Sequence, residues 1–460
     1  MVETKENKMG TMSEGKLLLS MSLPIMISMI IQALYNIVDS IFVAKFSQDA
    51  LTGVTVAFPM QNLMIAVGSG TGVGISAFLS KSLGEGKREL ASKVAKNGLL
   101  LAGLSWTLFL IIGIFFARPF IASQTSSEAV VEYGAEYLSL CSVLSFGVFF
   151  QITLERLLQS TGKTFFTMIT QATGAIINII LDPIFIFGYF GLPAIGISGA
   201  AIATVFGQTI AAVLGIIFNL KLNKELDFSF KGFKPDIDII KRIYVVGLPS
   251  IVMMAISSVM TFAMNKILDG FSTVATNVFG IYFKLQSFAV MPVVGINNGM
   301  VPIISYNYGA RRKDRIMKTI KYSVIFALSI TIGCMLIFQF FPEQLIKMFA
   351  AEGEAEALLE MGVPALRIIS LNFIFAGFCI VSGSVFQAMG NGVLSLIVSV
   401  ARQLVVLVPA AYILSKIGGV NAVWWSFPLA ECMSVLCSAV FLVLIYKKTI
   451  KKLDEPEKSL

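Results

Sequence analysis

The sequence predicts an all-α, polytopic membrane protein of twelve transmembrane helices, built as two parallel six-helix repeats. Three observations predict it. Apolar residues make up 56% of the 460-residue chain and charged residues only 13%, against roughly 25% charged in soluble domains. The apolar residues gather in runs of about 20, the length that crosses a hydrocarbon core about 30 Å thick. Motifs of the first half then recur in the second at a fixed spacing.

In chain order, the polar first 16 residues precede a first span too long for a signal-peptide core and without a small-residue cleavage site. It reads as an uncleaved first helix. The spans fall near 17–43, 53–80, 97–117, 138–158, 165–189, 195–219, 245–267, 275–306, 322–341, 365–388, 394–415 and 424–446. Lipid requires closed backbone hydrogen bonding and no ten-residue alternating pattern occurs, so these are helices rather than barrel strands. The segment 221–242, dense in charge and carrying Pro235, reads as a linker between an N-lobe (1–220) and a C-lobe (243–448), with 449–460 as a tail.

Charge sets the orientation. Twenty-six of the 35 Lys and Arg residues lie in the N-terminal tail, the loops after spans 2, 4, 6 and 8, and the C-terminal tail. The opposite loops and helix ends hold only Lys45, Arg118, Lys266, Lys347 and Lys416. By the positive-inside rule both termini are expected in the cytoplasm, with the protein multi-pass in the cell membrane. The net charge of +8 thus orients the chain and favours anionic lipid headgroups, and points to no nucleic-acid partner.

The duplication is explicit. Leu23-Pro24, Gly70, Gly74, Ser80 and Gly84 return 225 positions later as Leu248-Pro249, Gly295, Gly299, Ser305 and Gly309. LLQSTGKTFF (157–166) is echoed by VFQAMGNGVL (385–394). Each repeat holds six spans, and an even number preserves orientation, so the halves are parallel repeats with a substrate path between them. The glycine run GSGTGVG (68–74) lies inside a span and recurs in span 8, which argues for close helix packing rather than a phosphate cradle. No GxxxxGK[ST] motif is present, so ATP-driven transport by this chain is not expected.

Cys141, Cys334, Cys379, Cys432 and Cys437 lie in spans without metal-ligand spacing and read as buried thiols. Histidine is absent, so proton chemistry near neutral pH must use carboxylates. No metal cluster, HExxH motif or Ser–His pair suggests an enzyme, and no cofactor is expected beyond a coupling ion.

The informative residues are acids within apolar helices, because a charge at the bilayer centre costs roughly 2.5–3.5 kcal/mol on insertion scales and marks a functional path. Asp182 lies in AIINIILDPIFIFGYFGLPAIGISGAAIATV (175–205). Gln32, Asn36 and Asp39 on span 1, Gln151, Glu155 and Gln159 on span 4, and Asn178 and Asp182 on span 5 each share a helix face. If those faces meet, they form a site for H+ or Na+, with Asp39, Asp182, Asn178, Asn36 and Glu155 as ion-coupling candidates. Pro183 removes a backbone donor and leaves the Ile179 carbonyl as a further oxygen. The alternative is that each acid pairs with a buried base, which applies most to Glu155 beside Arg156. Gln32, Tyr35, Met60, Gln61, Met64 and Gln151 are the candidate substrate contacts, on a surface rich in the chain's 37 Phe and 21 Met.

NIILDPIFIFGYFGLPAIGISGAAIAT, the opening LPIMISMIIQALYNIVDSIFVAKF, and the paired QSTG and QAMG turns together resemble the multidrug and toxic compound extrusion (MATE) family over about residues 17–446. The resemblance implies a V of two six-helix lobes. It also implies alternating access and export of amphipathic, often cationic compounds in exchange for H+ or Na+. Within the family the chain is similar to the DinF-like and MepA-like types, in which the residues matching Asp39, Asp182 and Asn178 form the first-lobe coupling site. NorM-like members carry acids on spans 7 and 10, and 248–268 and 371–390 have none. Glu431 is the deep acid left in the second half, with Arg402 or Lys284 as its expected partner. A lipid-linked precursor flippase is the alternative activity. Its site should be strongly basic, whereas acids prevail in this pocket. No interface motif stands out, which points to a monomer.

Overall fold

The computed structural model describes residues 7–349 and 355–454. Residues 1–6 and 455–460 of the two expected tails lie outside the described residues. Every described element is helical. The chain opens with a short α1 (Lys8–Thr11), followed by α2 (Glu14–Phe46), α3 (Gln48–Gly84), α4 (Arg88–Phe115), α5 (Ala117–Ala122), α6 (Glu128–Val143), α7 (Phe146–Ser160), α8 (Thr164–Phe187) and α9 (Gly196–Leu222). The second half holds α10 (Ile237–Asp269), α11 (Thr273–Gly309), α12 (Lys313–Phe340), α13 (Pro342–Lys347), α14 (Ala355–Ser370), α15 (Phe373–Ala388) and α16 (Gly392–Val400). A π-helical stretch, Ala401–Leu407, leads into α17 (Val408–Ile417), α18 (Gly419–Val423) and α19 (Ser426–Ile445).

Ten helices are long and apolar enough to cross a membrane, and the pairs α6–α7 and α14–α15 bring the number to twelve when each counts as one span. Those two pairs are bent by 48° and 49°, a feature absent from the sequence expectation of unbroken spans 4 and 10. Neither break holds Gly or Pro. Ser145 stands in one and Asn372 in the other, and neither side chain caps the helix that follows. α8, by contrast, runs through Pro183 unbroken to Phe187.

The chain forms two compact units. One holds Leu23–Ile251 and the described residues before Met9; the other holds Met9–Ser22 and the residues from Val252 onward. The duplication is visible in each. Ser47 caps α3 by accepting from the Ala50 N–H, and Ser272 caps α11 by accepting from the Ala275 N–H. Ser80 donates to the Ser160 carbonyl at 2.9 Å, and Ser305 to the Ala388 carbonyl at 2.8 Å. Gly162 and Gly390 turn the chain after α7 and α15 with φ of 83° and 81°, in the region open to glycine.

The expected N-terminal tail is tied down within the second unit. Met9 is fully buried. Its carbonyl accepts from Asn307 and Arg315, while Arg315 also reaches the Met12 carbonyl at 2.6 Å and Glu14 at 3.4 Å. Within the first unit, the loop between α9 and α10 is pinned by a Ser92 bond to the Asp227 N–H and an Asn97 bond to the Asp236 N–H.

The glycine run packs helices closely. A methyl group added at Gly74 would stand 2.1 Å from the Ile243 carbonyl oxygen, and one at Gly299 would stand 2.5 Å from Ser22 Oγ. Backbone cannot yield as a flexible side chain does. Gly74→Ala is therefore expected to destabilise the protein by about 1–3 kcal/mol. Thermal unfolding in detergent checks this against Gly333→Ala, whose added methyl meets nothing within 4 Å.

Candidate functional site

The first unit brings acids from two spans together. α2 carries Asp39 one turn beyond Tyr35, and α8 carries Asp182 one turn beyond Asn178, the i, i+4 spacing that stacks side chains on one face. The Asp39 and Asp182 carboxylates lie within hydrogen-bonding reach of each other. Asp182 is fully buried and Asn178 is 2% exposed. With its carboxamide nitrogen toward Asp182, Asn178 donates to Oδ2 at 3.1 Å. Its oxygen then accepts from the Thr204 N–H at 3.0 Å and the Thr204 hydroxyl at 3.2 Å. Thr204 comes from α9, which α8 packs against closely along its length.

Two tyrosines close this arrangement. Tyr35 is near enough to both aspartates to feel their charge, and Tyr137 on α6 is near Asp39 and Tyr35. Gln61 on α3 donates to the Tyr137 hydroxyl at 3.3 Å. One oxygen of Asp39, Oδ1, is buried without a hydrogen-bond partner. Among the described residues, no Lys or Arg lies within ion-pair distance of Asp39 or Asp182. Two adjacent carboxylates without a base need a shared proton or a bound cation to offset their repulsion. The carboxylate oxygens of Asp39 and Asp182, with Asn178 bonded to Asp182 and held by Thr204, suit a hard monovalent ion.

Other sequence candidates stand elsewhere. Glu155, 3% exposed, does not join the aspartates. Its carboxylate accepts from Gln151 at 3.0 Å, Thr170 at 3.1 Å and Gln171 at 2.7 Å. Gln171 precedes Asp182 by eleven residues, about 16 Å along α8. Arg156 acts on Glu155 through its charge, and its guanidinium donates to Gln159 at 3.0 Å. Gln32 and Asn36 are exposed on α2. Met64 is 5% exposed within a hydrophobic core, and Met60, half-buried, packs against the same core. In the second unit Arg402, not Lys284, faces Glu431; Lys284 is exposed and lies over the Phe349 ring.

Sequence reasoning missed Tyr137 and Thr204. A tyrosine in an apolar span carried a faint signal, whereas a threonine eight residues beyond the start of a small-residue helix carried none. Asn178→Leu should strand Asp182 and Thr204 without their partner, lowering stability by about 1–3 kcal/mol. Asn36→Leu, on the exposed side of α2, should change it little. Thermal unfolding of the two variants decides the point.

Comparison with known proteins places the fold and the family. The MatE family model matches residues 24–184 and 249–413, one match in each repeat. The multidrug export protein MepA of Staphylococcus haemolyticus is 26% identical over 439 residues, 94% of this chain and 93% of that one. MepA of Staphylococcus aureus strain MRSA252 is 25% identical over 434 residues, with the same coverage. A MATE transporter solved with MaL6 is 25% identical, with a TM-score of 0.89 over 97% of this chain and 100% of that one. An outward-facing multidrug resistance MATE transporter, 24% identical, has the same fold, with a TM-score of 0.90 over 98% of this chain and 99% of the other. The chain is a multi-pass membrane protein and belongs to the MatE family of transporters.

Proposed function

We propose that this protein exports amphipathic, cationic compounds across the cell membrane by antiport, in exchange for H+ or Na+ bound at Asp39, Asp182 and Asn178. Both termini face the cytoplasm in this reading, as the distribution of basic residues requires. The observation that carries it is the pair of span carboxylates in mutual reach with no basic neighbour. A site of that kind binds and releases a small cation more readily than it serves structure.

Coupling follows from charge. When the outward-facing first lobe is empty, its aspartates attract a cation, whether drug or coupling ion. Once H+ or Na+ has neutralised them, attraction for the drug is lost and the drug departs outward. The ion then continues inward as the lobe rearranges, with bending of α2 near Pro24. Tyr35, Gln61 and Tyr137 supply aromatic and amide contacts next to the carboxylates, and Gln32 and Gln151 are further contacts for an apolar cargo. Glu155, held by three neutral donors, braces α7 against α8 rather than exchanging ions. The scheme needs no cofactor and no second chain. A flippase of anionic lipid-linked precursors is disfavoured by the acidic character of the first-lobe site.

The test is ethidium transport in proteoliposomes under a pH gradient alone and a Na+ gradient alone. Transport should be driven by one of them, be lost in Asp182→Asn, and persist with unchanged ion dependence in Glu155→Gln. Undiminished transport by Asp182→Asn at equal incorporation overturns the assignment.

A further inference from the structure

The second unit contains a polar cluster that this coupling scheme does not use. Glu431 on α19 is 3% exposed, and its Oε2 lies 3.3 Å from Nη1 of Arg402, in the π-helical stretch before α17. Glu431 Oε1 has no hydrogen-bond partner, and neither have Oδ1 of Asn372, Oγ of Ser434 and Oγ of Ser438. These residues are 6% exposed or less. Glu431, Ser434 and Ser438 fall at i, i+3, i+7 on one face of α19. Asn372, at the break between α14 and α15, donates to the Tyr282 hydroxyl at 3.4 Å. Tyr282 lies close enough to feel the charges of Glu431 and Arg402, and the Cys379 thiol stands within hydrogen-bonding reach of Glu431 and Ser434.

The unpartnered atoms are all oxygens, and one belongs to a carboxylate. That donor set suits a hard monovalent cation. The positive charge found there is a guanidinium, fixed to the chain and about one-third exposed. π-Helical stretches of this kind are frequent at functional sites.

Polar side chains join the same pair of spans in each repeat, at positions the duplication does not equate. In the first repeat, Asn178 on the fifth span meets Thr204 on the sixth across 26 residues. In the second, Arg402 on the eleventh span meets Glu431 on the twelfth across 29 residues. Both contacts join the fifth and sixth spans of a repeat. The first-repeat acids have no base, and the second-repeat acid has one built in.

We propose that Arg402 is a tethered counter-ion occupying a monovalent-cation site formed around Glu431, Asn372 and Ser434. Its guanidinium keeps that site closed to Na+ and confines mobile-ion binding to the first lobe. That confinement rests on the proposed coupling role of Asp39 and Asp182, and failure of that role would show separately, as intact dye transport by Asp182→Asn.

The test uses purified full-length protein carrying Asp39→Asn and Asp182→Asn, which silence the first-lobe carboxylates. Binding of radioactive Na+ is measured against choline at constant ionic strength. This background should show no saturable Na+ binding, and neither should its Arg402→Lys derivative, which keeps a tethered charge. Arg402→Ala should gain saturable binding of about one Na+ per chain, and Glu431→Gln added to it should abolish the gain. A folded Arg402→Ala protein without Na+ binding overturns the proposal, as does Na+ binding by the background that Glu431→Gln removes. If Arg402→Ala unfolds readily, its thermal stability should be restored by Na+ and not by choline; instability that Na+ leaves unchanged also overturns it.

Discussion

A polar atom inside a membrane helix has no water to fall back on, so it must find its partner on a neighbouring helix or bind something that moves. Much of this structure follows from that constraint. Ser80 and Ser305 use their hydroxyls to satisfy carbonyls at the ends of α7 and α15. Asn219 donates to the Leu154 carbonyl and joins α9 to α7. Glu155 draws three donors from α7 and α8 and becomes a joint between them. Where the accounting is left open, at Asp39 Oδ1 and at Glu431 Oε1, there is room for a function.

The twelve spans and the duplication were legible because both are repetitive signals. Hydrophobic length is read over 20 residues at a time, and the offset of 225 is carried by glycines whose absent side chains are a packing requirement, as Gly74 against Ile243 demonstrates. Asp39, Asp182 and Asn178 were legible for the opposite reason, each being a costly exception in an apolar run. Three features were not. The bends after Val143 and Ser370 fall inside apolar segments, and window averages pass over them. Glu155 stood apart from Asp39 in sequence only by its neighbour Arg156, and the donors on α7 and α8 are what separate its carboxylate from the aspartates. Loop basic residues counted toward orientation also include Arg315, whose bonds to Met9 and Met12 are structural.

Membership of the two units carries a further lesson. α2 begins in one unit and continues in the other from Leu23, and α10 does the same at Val252. The first helix of each repeat therefore starts in one unit and finishes in the other. Pro24 and Pro249, equivalent in the duplication, lie near those crossings and lack the backbone donor that stiffens a helix. A hydropathy profile sees one span in each case.

Duplication gives two copies of a scaffold but leaves their charges free to diverge. Fifth and sixth spans meet through polar side chains in both halves, Asn178 with Thr204 in one and Arg402 with Glu431 in the other, at positions the duplication does not equate. In the first half the acid stands beside a second acid, an arrangement completed only by a proton or a cation from outside. In the second, the acid stands beside a base and is neutral without one. Such a pair contributes little net stability, because desolvation offsets most of the attraction. Its consequence is instead selective: the same pair of spans depends on an ion in one lobe and not in the other. A gradient of one ion can then act on one half of the molecule while the other half holds its form.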